Sequence, residues 1–168
     1  MTVKSVVKSF LTLAVSLGIC LLAGYQGWYP ALPGMPAWYA GLVKPVFSPP
    51  SWVFSPIWMI SFVLMGLTLF LILQSGINQR DVSFGLILFA LQFLFTLVWA
   101  FAFFGSHSIF IAFICIIALW ATLLCTVIQV FRFSVYGGML LVPYFLWLCY
   151  LAYLNYGIMV LNHFVYMI

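Results

Sequence analysis

Five long apolar stretches, separated by short polar breaks, make up most of this chain of 168 residues. A helix needs about 20 apolar residues to cross a hydrocarbon core of ~30 Å, because each residue rises ~1.5 Å. Each stretch meets that length, so the sequence predicts an all-α integral membrane bundle of five transmembrane helices, forming one domain over residues 1–168. The predicted helices cover residues 5–26, 51–73, 82–104, 109–131 and 135–161.

Composition supports this prediction and excludes a water-soluble protein. Hydrophobic residues make up 68% of the chain and charged residues 4%, with a mean hydropathy of +1.31. Soluble domains carry roughly 25% charged residues. One acid and five bases cannot cover a water-facing surface, so the surroundings of the chain are lipid. No run of basic residues is present that could hold RNA or DNA.

The five bases predict the orientation of the helices. Loops rich in Lys and Arg stay cytoplasmic, and four bases fall on the N-terminal side against Lys44 alone on the other. We therefore expect a cytoplasmic N-terminus, with the C-terminus and the first loop outside. Lys4 and Lys8 before an apolar run could also mark a signal peptide, but no good cleavage sequence follows, which favours an uncleaved helix. The four bases of the N-terminal side are Lys4, Lys8, Arg80 and Arg132.

The connection between the first two predicted helices is long and rigid. Six of the eight prolines lie between Pro30 and Pro50, and the segment also carries Trp38 and Tyr39. Proline fixes the backbone, so this loop is structured without charge. Two interpretations of Trp38 and Tyr39 stay open. They could form an aromatic belt at the lipid headgroups, or part of a lid over the bundle.

Three predicted helices each carry a tryptophan on a stripe with helical spacing. Two interpretations compete: the polar members bond helices to one another, or the three stripes line a cavity for a flat, π-rich ligand. On the second helix the stripe is Trp58, Phe62, Met65 and Leu69; on the third it is Gln92, Thr96 and Trp99; on the fifth it is Tyr144, Trp147, Leu151, Asn155, Ile158 and Asn162.

Other chemistry is weakly supported. The four cysteines fall inside predicted helices without a C-x-x-C pair, so neither a metal site nor a disulfide is expected. No acidic or basic residue lies at the middle of a predicted helix, which argues against ion-coupled transport. Passive movement of an apolar ligand along the helices remains open.

The loop and the stripes together carry a specific motif. The segment from Trp38 to Trp58 reads WYxxLxKPxxxPPxWVFxPxW, and PYxxW begins at Pro143. Between them stand Gln92, Trp99 and the FFG that ends at Gly105. This pattern resembles that of the TspO/MBR family, the tryptophan-rich sensory proteins, whose animal relatives are called translocator proteins or peripheral benzodiazepine receptors.

The resemblance implies a membrane protein that binds porphyrins such as protoporphyrin IX or haem as ligands, as a sensor, carrier or scavenger. It also implies sterols or benzodiazepine-type ligands in some members, and homodimers. No bound cofactor is expected. Two alternatives stay open: light-dependent degradation of porphyrin, with Trp58 and Trp147 as the reacting residues, and passive transport of apolar ligands.

The resemblance also implies a set of binding residues. Thr96 and Phe62 stand where the family commonly has Asn and Tyr, so we expect a less polar pocket. Asn155 shares a stripe with Trp147, and Lys44 is the nearest base for a porphyrin carboxylate. The remaining implied residues are Ala23, Trp38, Phe54, Ser55, Ile57, Trp58, Trp99, Trp147, Leu151 and Leu154.

Overall fold

The computed structural model describes residues 3–28 and 35–162, and within these ranges it consists of helices and their connections. A 3-10 turn at Ser51–Val53 leads into the third helix, and a π-helical turn at Phe101–Gly105 extends the fourth. The six α-helices are α1 (Val3–Trp28), α2 (Met35–Gly41), α3 (Phe54–Gln74), α4 (Arg80–Ala100), α5 (Ile109–Phe131) and α6 (Val135–Leu161).

Five of these helices are long and apolar enough to cross a membrane, which confirms the predicted all-α, multi-pass architecture. Their ends lie within a few residues of the predicted ones. The first helix begins earlier than expected, at Val3, and the fourth keeps its helical course to Gly105 through the π turn. The short helix α2, inside the proline-rich loop, was not predicted. Which end of the bundle is cytoplasmic stays a prediction.

The five long helices form a ring that is incomplete at one seam. Helix α1 packs along α3, α3 along α6, α6 along α5, and α5 along α4. At the seam, α1 and α4 make few contacts with each other, and α3 and α4 make equally few. This seam leaves open space between α1, α3 and α4.

Small residues decide how closely the helices approach, because apolar burial does not drive helix association within lipid. A Cβ atom at Gly66 of α3 would lie 3.0 Å from the Cα atom of Leu17 and 3.3 Å from the carbonyl oxygen of Ser16. The backbones of α1 and α3 therefore meet at Gly66, where no side chain fits without displacement.

The small residues of α4 do not form an exposed face for a homodimer. Gly85 is buried, and a Cβ atom there would lie 2.8 Å from the ring of Phe133. Ala102 is also buried, and Ala100 faces the space between α1, α3 and α4. Among these small residues Ala90 alone is exposed to lipid.

Candidate ligand-binding site

A cavity of about 350 Å³ occupies the seam between α1, α3 and α4. Its volume lies at the lower end of small-molecule pockets, which span ~300–1,000 Å³. Tyr25 and Met59 flank it and are each 60% exposed, so the cavity opens sideways toward the bilayer. We call it the lateral cavity. Its lining residues are Leu21, Gly24, Tyr25, Ser55, Trp58, Met59, Phe62, Thr96, Leu97, Ala100 and Phe104.

Trp58 forms the aromatic wall of the lateral cavity. Its side chain is 7% exposed and stacks on Phe62, with ring centroids 5.9 Å apart and an interplanar angle of 27°. On α4, the ring of Trp99 lies 5.5 Å away and is tilted by 32°. The indole of Trp58 is thus held between two helices by aromatic contacts, and its small exposed part lines the lateral cavity.

Thr96 lines the same cavity but offers no free polar group. Its hydroxyl donates to the carbonyl oxygen of Gln92 at 2.9 Å and is 2.8 Å from the hydroxyl of Tyr144. A threonine can therefore lie in this buried wall without leaving a hydrogen bond unmade. Thr96 thus adds no free polar group to the lining, and the less polar pocket expected from Thr96 and Phe62 stays a prediction.

A second space beside the lateral cavity is almost closed. Its volume is about 20 Å³, enough for about one water molecule and far too small for an organic ligand. Phe104 lines both spaces, and the Trp58–Trp99 contact lies between them. We call this space the inner void. It is lined by Tyr39, Phe54, Trp99, Phe103, Phe104, Leu151, Leu154, Asn155 and Ile158.

Asn155 holds Trp99 in place at the inner void. Its side-chain oxygen accepts a hydrogen bond from Nε1 of Trp99 at 3.1 Å, and its amide group donates to the carbonyl oxygen of Ile109 at 3.2 Å. One side chain of α6 therefore connects α4 and the start of α5. This is the helix-bonding role that the sequence left open for the polar stripe residues.

Helix α2 covers the outer side of the inner void. Tyr39 packs edge-on against Phe54 and Phe103, at centroid distances of 5.9 and 6.5 Å. Burial raises the pKa of Tyr39 to about 12, so this phenol stays neutral at physiological pH. Trp38 stacks on His107 with centroids 4.4 Å apart. These contacts favour the lid interpretation of Trp38 and Tyr39 over an aromatic belt.

The end of α6 fastens the loop that follows α2. The amide nitrogen of Asn162 donates to the carbonyl oxygen of Val43 at 2.8 Å, and its side-chain oxygen accepts from the Val43 N–H at 3.0 Å. The hydroxyl of Tyr150 donates to the carbonyl oxygen of Phe47 at 2.6 Å. Pro45 packs directly on Gly157, where a larger residue would collide with its ring.

Replacing Asn162 with alanine should loosen this attachment. Both backbone groups of Val43 lose their partner, which costs about 1–2 kcal/mol when such groups are partly buried. Thermal unfolding in detergent should show a lower melting temperature for Asn162→Ala. Asn78→Ala removes an exposed asparagine of the α3–α4 turn and serves as the control. Equal melting temperatures for the two variants would show that the hydrogen bonds between Asn162 and Val43 do not stabilise the fold.

Comparisons with known proteins agree with this architecture. The model of the TspO/MBR family matches residues 16–161. A tryptophan-rich protein TspO of Chlorobaculum tepidum is 38% identical over 156 residues, covering 92% of this chain and 98% of the relative. The chain belongs to the TspO/MBR family. Among its other relatives, a human translocator protein is 30% identical over 128 residues, or 75% of each chain. The protein CrtK of Rhodobacter capsulatus is 28% identical over 149 residues, covering 89% of this chain and 91% of the relative.

The binding residues inferred from the TspO/MBR motif divide into two groups in the structure. Ser55, Trp58, Phe62 and Thr96 line the lateral cavity. Phe54, Trp99, Leu151, Leu154 and Asn155 line the inner void. The expectation of one cavity faced by three tryptophans is therefore not met, because the contact between Trp58 and Trp99 divides the space in two.

Five of the residues inferred from the sequence line neither space. Trp147 contacts Phe54 at 5.8 Å, and its buried Nε1 has no hydrogen-bond partner among residues 3–28 and 35–162. The others are Ala23 and Ile57, both partly exposed in their helices, and Trp38 and Lys44 on the loop.

Sequence reasoning missed several residues of the lateral cavity. Gly24 brings α1 close to Phe62, whose ring would lie 2.5 Å from a Cβ atom at position 24. A glycine near the end of an apolar helix was the available signal for such a close approach. Ala100 and Leu97 could not be distinguished from ordinary lipid-facing positions by spacing alone.

Proposed function

We propose that this TspO/MBR protein binds porphyrins, or tetrapyrroles of similar shape, in the lateral cavity and acts as a sensor, carrier or scavenger of them. The observation that carries the proposal is the aromatic wall formed by Trp58, supported by Phe62 and Trp99, at a cavity open to lipid. A porphyrin is flat, apolar on both faces and rich in π electrons, so one face can stack on this wall.

Access from the bilayer explains how such a ligand is selected. A porphyrin dissolved in lipid gains little from apolar burial, because the acyl chains that it leaves are equally apolar. Stacking on aromatic side chains, worth ~1–3 kcal/mol per ring for nucleobases, is then the main source of preference over lipid. The sideways opening beside Tyr25 and Met59 gives a membrane-dissolved ligand a route to Trp58.

Filling the lateral cavity from a position that does not disturb the aromatic wall tests the proposal. Ala100→Phe places a ring in the cavity and should weaken protoporphyrin IX binding by about tenfold, the effect of ~1.4 kcal/mol. Ala90→Phe adds the same ring on the lipid-facing side of α4 and should leave binding unchanged. Titration of the purified protein in lipid nanodiscs by porphyrin absorbance measures both. Wild-type affinity in Ala100→Phe would refute the lateral cavity as the binding site.

Lys44 lines neither space, but it is the one Lys or Arg of the sequence on the side of the bundle that carries Ser55 and Trp58, so we propose it as the partner of a carboxylate that extends from the bound porphyrin. Its Nζ atom lies 4.6 Å from the centroid of the Tyr39 ring, on the loop above the bundle. Exposed ion pairs contribute ~0.2–1 kcal/mol, so Lys44→Ala should weaken protoporphyrin IX binding by roughly threefold. Lys44→Arg should keep the affinity, and the uncharged dimethyl ester should bind equally to wild type and Lys44→Ala. An unchanged dissociation constant for the acid would remove Lys44 from the site.

A further inference from the structure

A second groove lies far from the lateral cavity, between the start of α1 and the end of α3. Its volume is about 620 Å³, and Leu73 provides its wall on α3. A hydrogen bond at 2.9 Å from Gln74 to Ser9 joins the two helices at this level. The lid and the Trp58 wall are near the opposite end of α3, so the groove is separate from the proposed porphyrin site.

The groove is basic near the start of α1 and apolar further along the helix. Lys4 and Lys8 are one helical turn apart and share a face of α1. Leu11 and Val15 continue along α1 from Lys8, and Val15 lies ~10 Å further along the helix axis. Together with Val7 they provide an apolar track that leads from the ammonium groups into the hydrocarbon core.

The two ammonium groups are available to an anion from outside the chain. Both side chains are exposed, and within residues 3–28 and 35–162 neither makes an ion pair. The single acid of the sequence, Asp81, accepts a hydrogen bond from Gln129 of α5 instead. In a bilayer, the anions that reach the start of a spanning helix are the phosphates and acidic headgroups of lipids.

We infer that this groove binds one phospholipid with a net negative headgroup. Lys4 and Lys8 contact the headgroup, and one acyl chain lies along Val7, Leu11 and Val15 against Leu73. The charge of the two lysines selects an anionic lipid over a zwitterionic one, and the apolar track selects a lipid over a free phosphate. This site is independent of porphyrin binding.

Native mass spectrometry of the full chain, with phosphatidylglycerol and phosphatidylcholine in competition, tests the inference. The wild type should bind phosphatidylglycerol at least tenfold more tightly than phosphatidylcholine. The double variant Lys4→Gln/Lys8→Gln should lose roughly tenfold or more of that affinity and keep its weak binding of phosphatidylcholine. The control Arg80→Gln/Arg132→Gln removes two exposed charges from the same side of the bundle, outside the groove, and should keep the selectivity.

Two further measurements separate a bound lipid from a bound anion. Leu11→Trp keeps both lysines but fills the apolar track, so it should lower phosphatidylglycerol affinity by several-fold. Leu11 is 57% exposed, so the larger side chain extends outward from the packed interior. Glycerol phosphate, which has no acyl chains, should fail to displace the lipid. The inference is overturned if the Lys4/Lys8 double variant matches the wild type, if the charge control loses as much, or if glycerol phosphate competes fully.

Discussion

Trp58→Ala should lower the affinity for protoporphyrin IX by about a hundredfold, which corresponds to ~2.8 kcal/mol. The substitution removes the aromatic wall of the lateral cavity and the ring that stacks on Phe62 and contacts Trp99. A ligand that prefers the site to lipid mainly through stacking loses most of that preference. Absorbance titration in lipid nanodiscs measures the change directly.

Two further variants show whether such a loss belongs to the site or to general destabilisation. Trp120 lies on α5 and packs on Phe145 away from both spaces, so Trp120→Ala is a matched truncation that should retain wild-type affinity. Trp58→Phe keeps a smaller ring and should fall between wild type and Trp58→Ala. Equal losses in Trp58→Ala and Trp120→Ala would show that the effect is not specific to the cavity.

Gly66→Leu should lower the free energy of unfolding by about 2–3 kcal/mol, the upper part of the range for overpacking. The reason is the backbone contact between α1 and α3, where the nearest backbone atom to a new Cβ is Cα of Leu17 at 3.0 Å. A backbone atom cannot rotate away, so α1 has to shift as a whole. Unfolding of the purified protein in mixed detergent micelles measures this loss.

Gly18→Leu is the matched control for Gly66→Leu. A Cβ atom at Gly18 of α1 meets no other atom within 4 Å, so leucine extends into open space there. The control should unfold like the wild type. Because α1 forms one wall of the lateral cavity, Gly66→Leu should also weaken porphyrin binding, whereas Gly18→Leu should not. Equal stability of the two variants would contradict the close α1–α3 approach.

The five spanning helices could be predicted because lipid requires a certain length and an apolar composition of each helix, and both can be recognised in one sequence. Helix α2 could not. Its prolines and its short length give no helical periodicity, and Tyr39 is buried there only because Phe54 and Phe103 lie beneath it. Tertiary packing therefore determines the form of the lid.

The stripe residues were placed on the correct helix faces, but spacing along one helix does not specify the neighbour that each face meets. Trp58 and Trp99 meet each other, whereas Trp147 packs beside Phe54 instead of joining them. Asn155 proved to be bonded to Trp99 and Ile109. The lateral cavity itself depends on the sparse contact between α1 and α4, a property of the whole ring that no single motif encodes.

An experimental structure of the protein with protoporphyrin IX, determined in a lipid nanodisc, tests the central claim most directly. We predict that one face of the macrocycle stacks on the indole of Trp58, between α1, α3 and α4. Macrocycle density bound elsewhere on the bundle, with the lateral cavity filled by lipid and Trp58 untouched, would contradict the account.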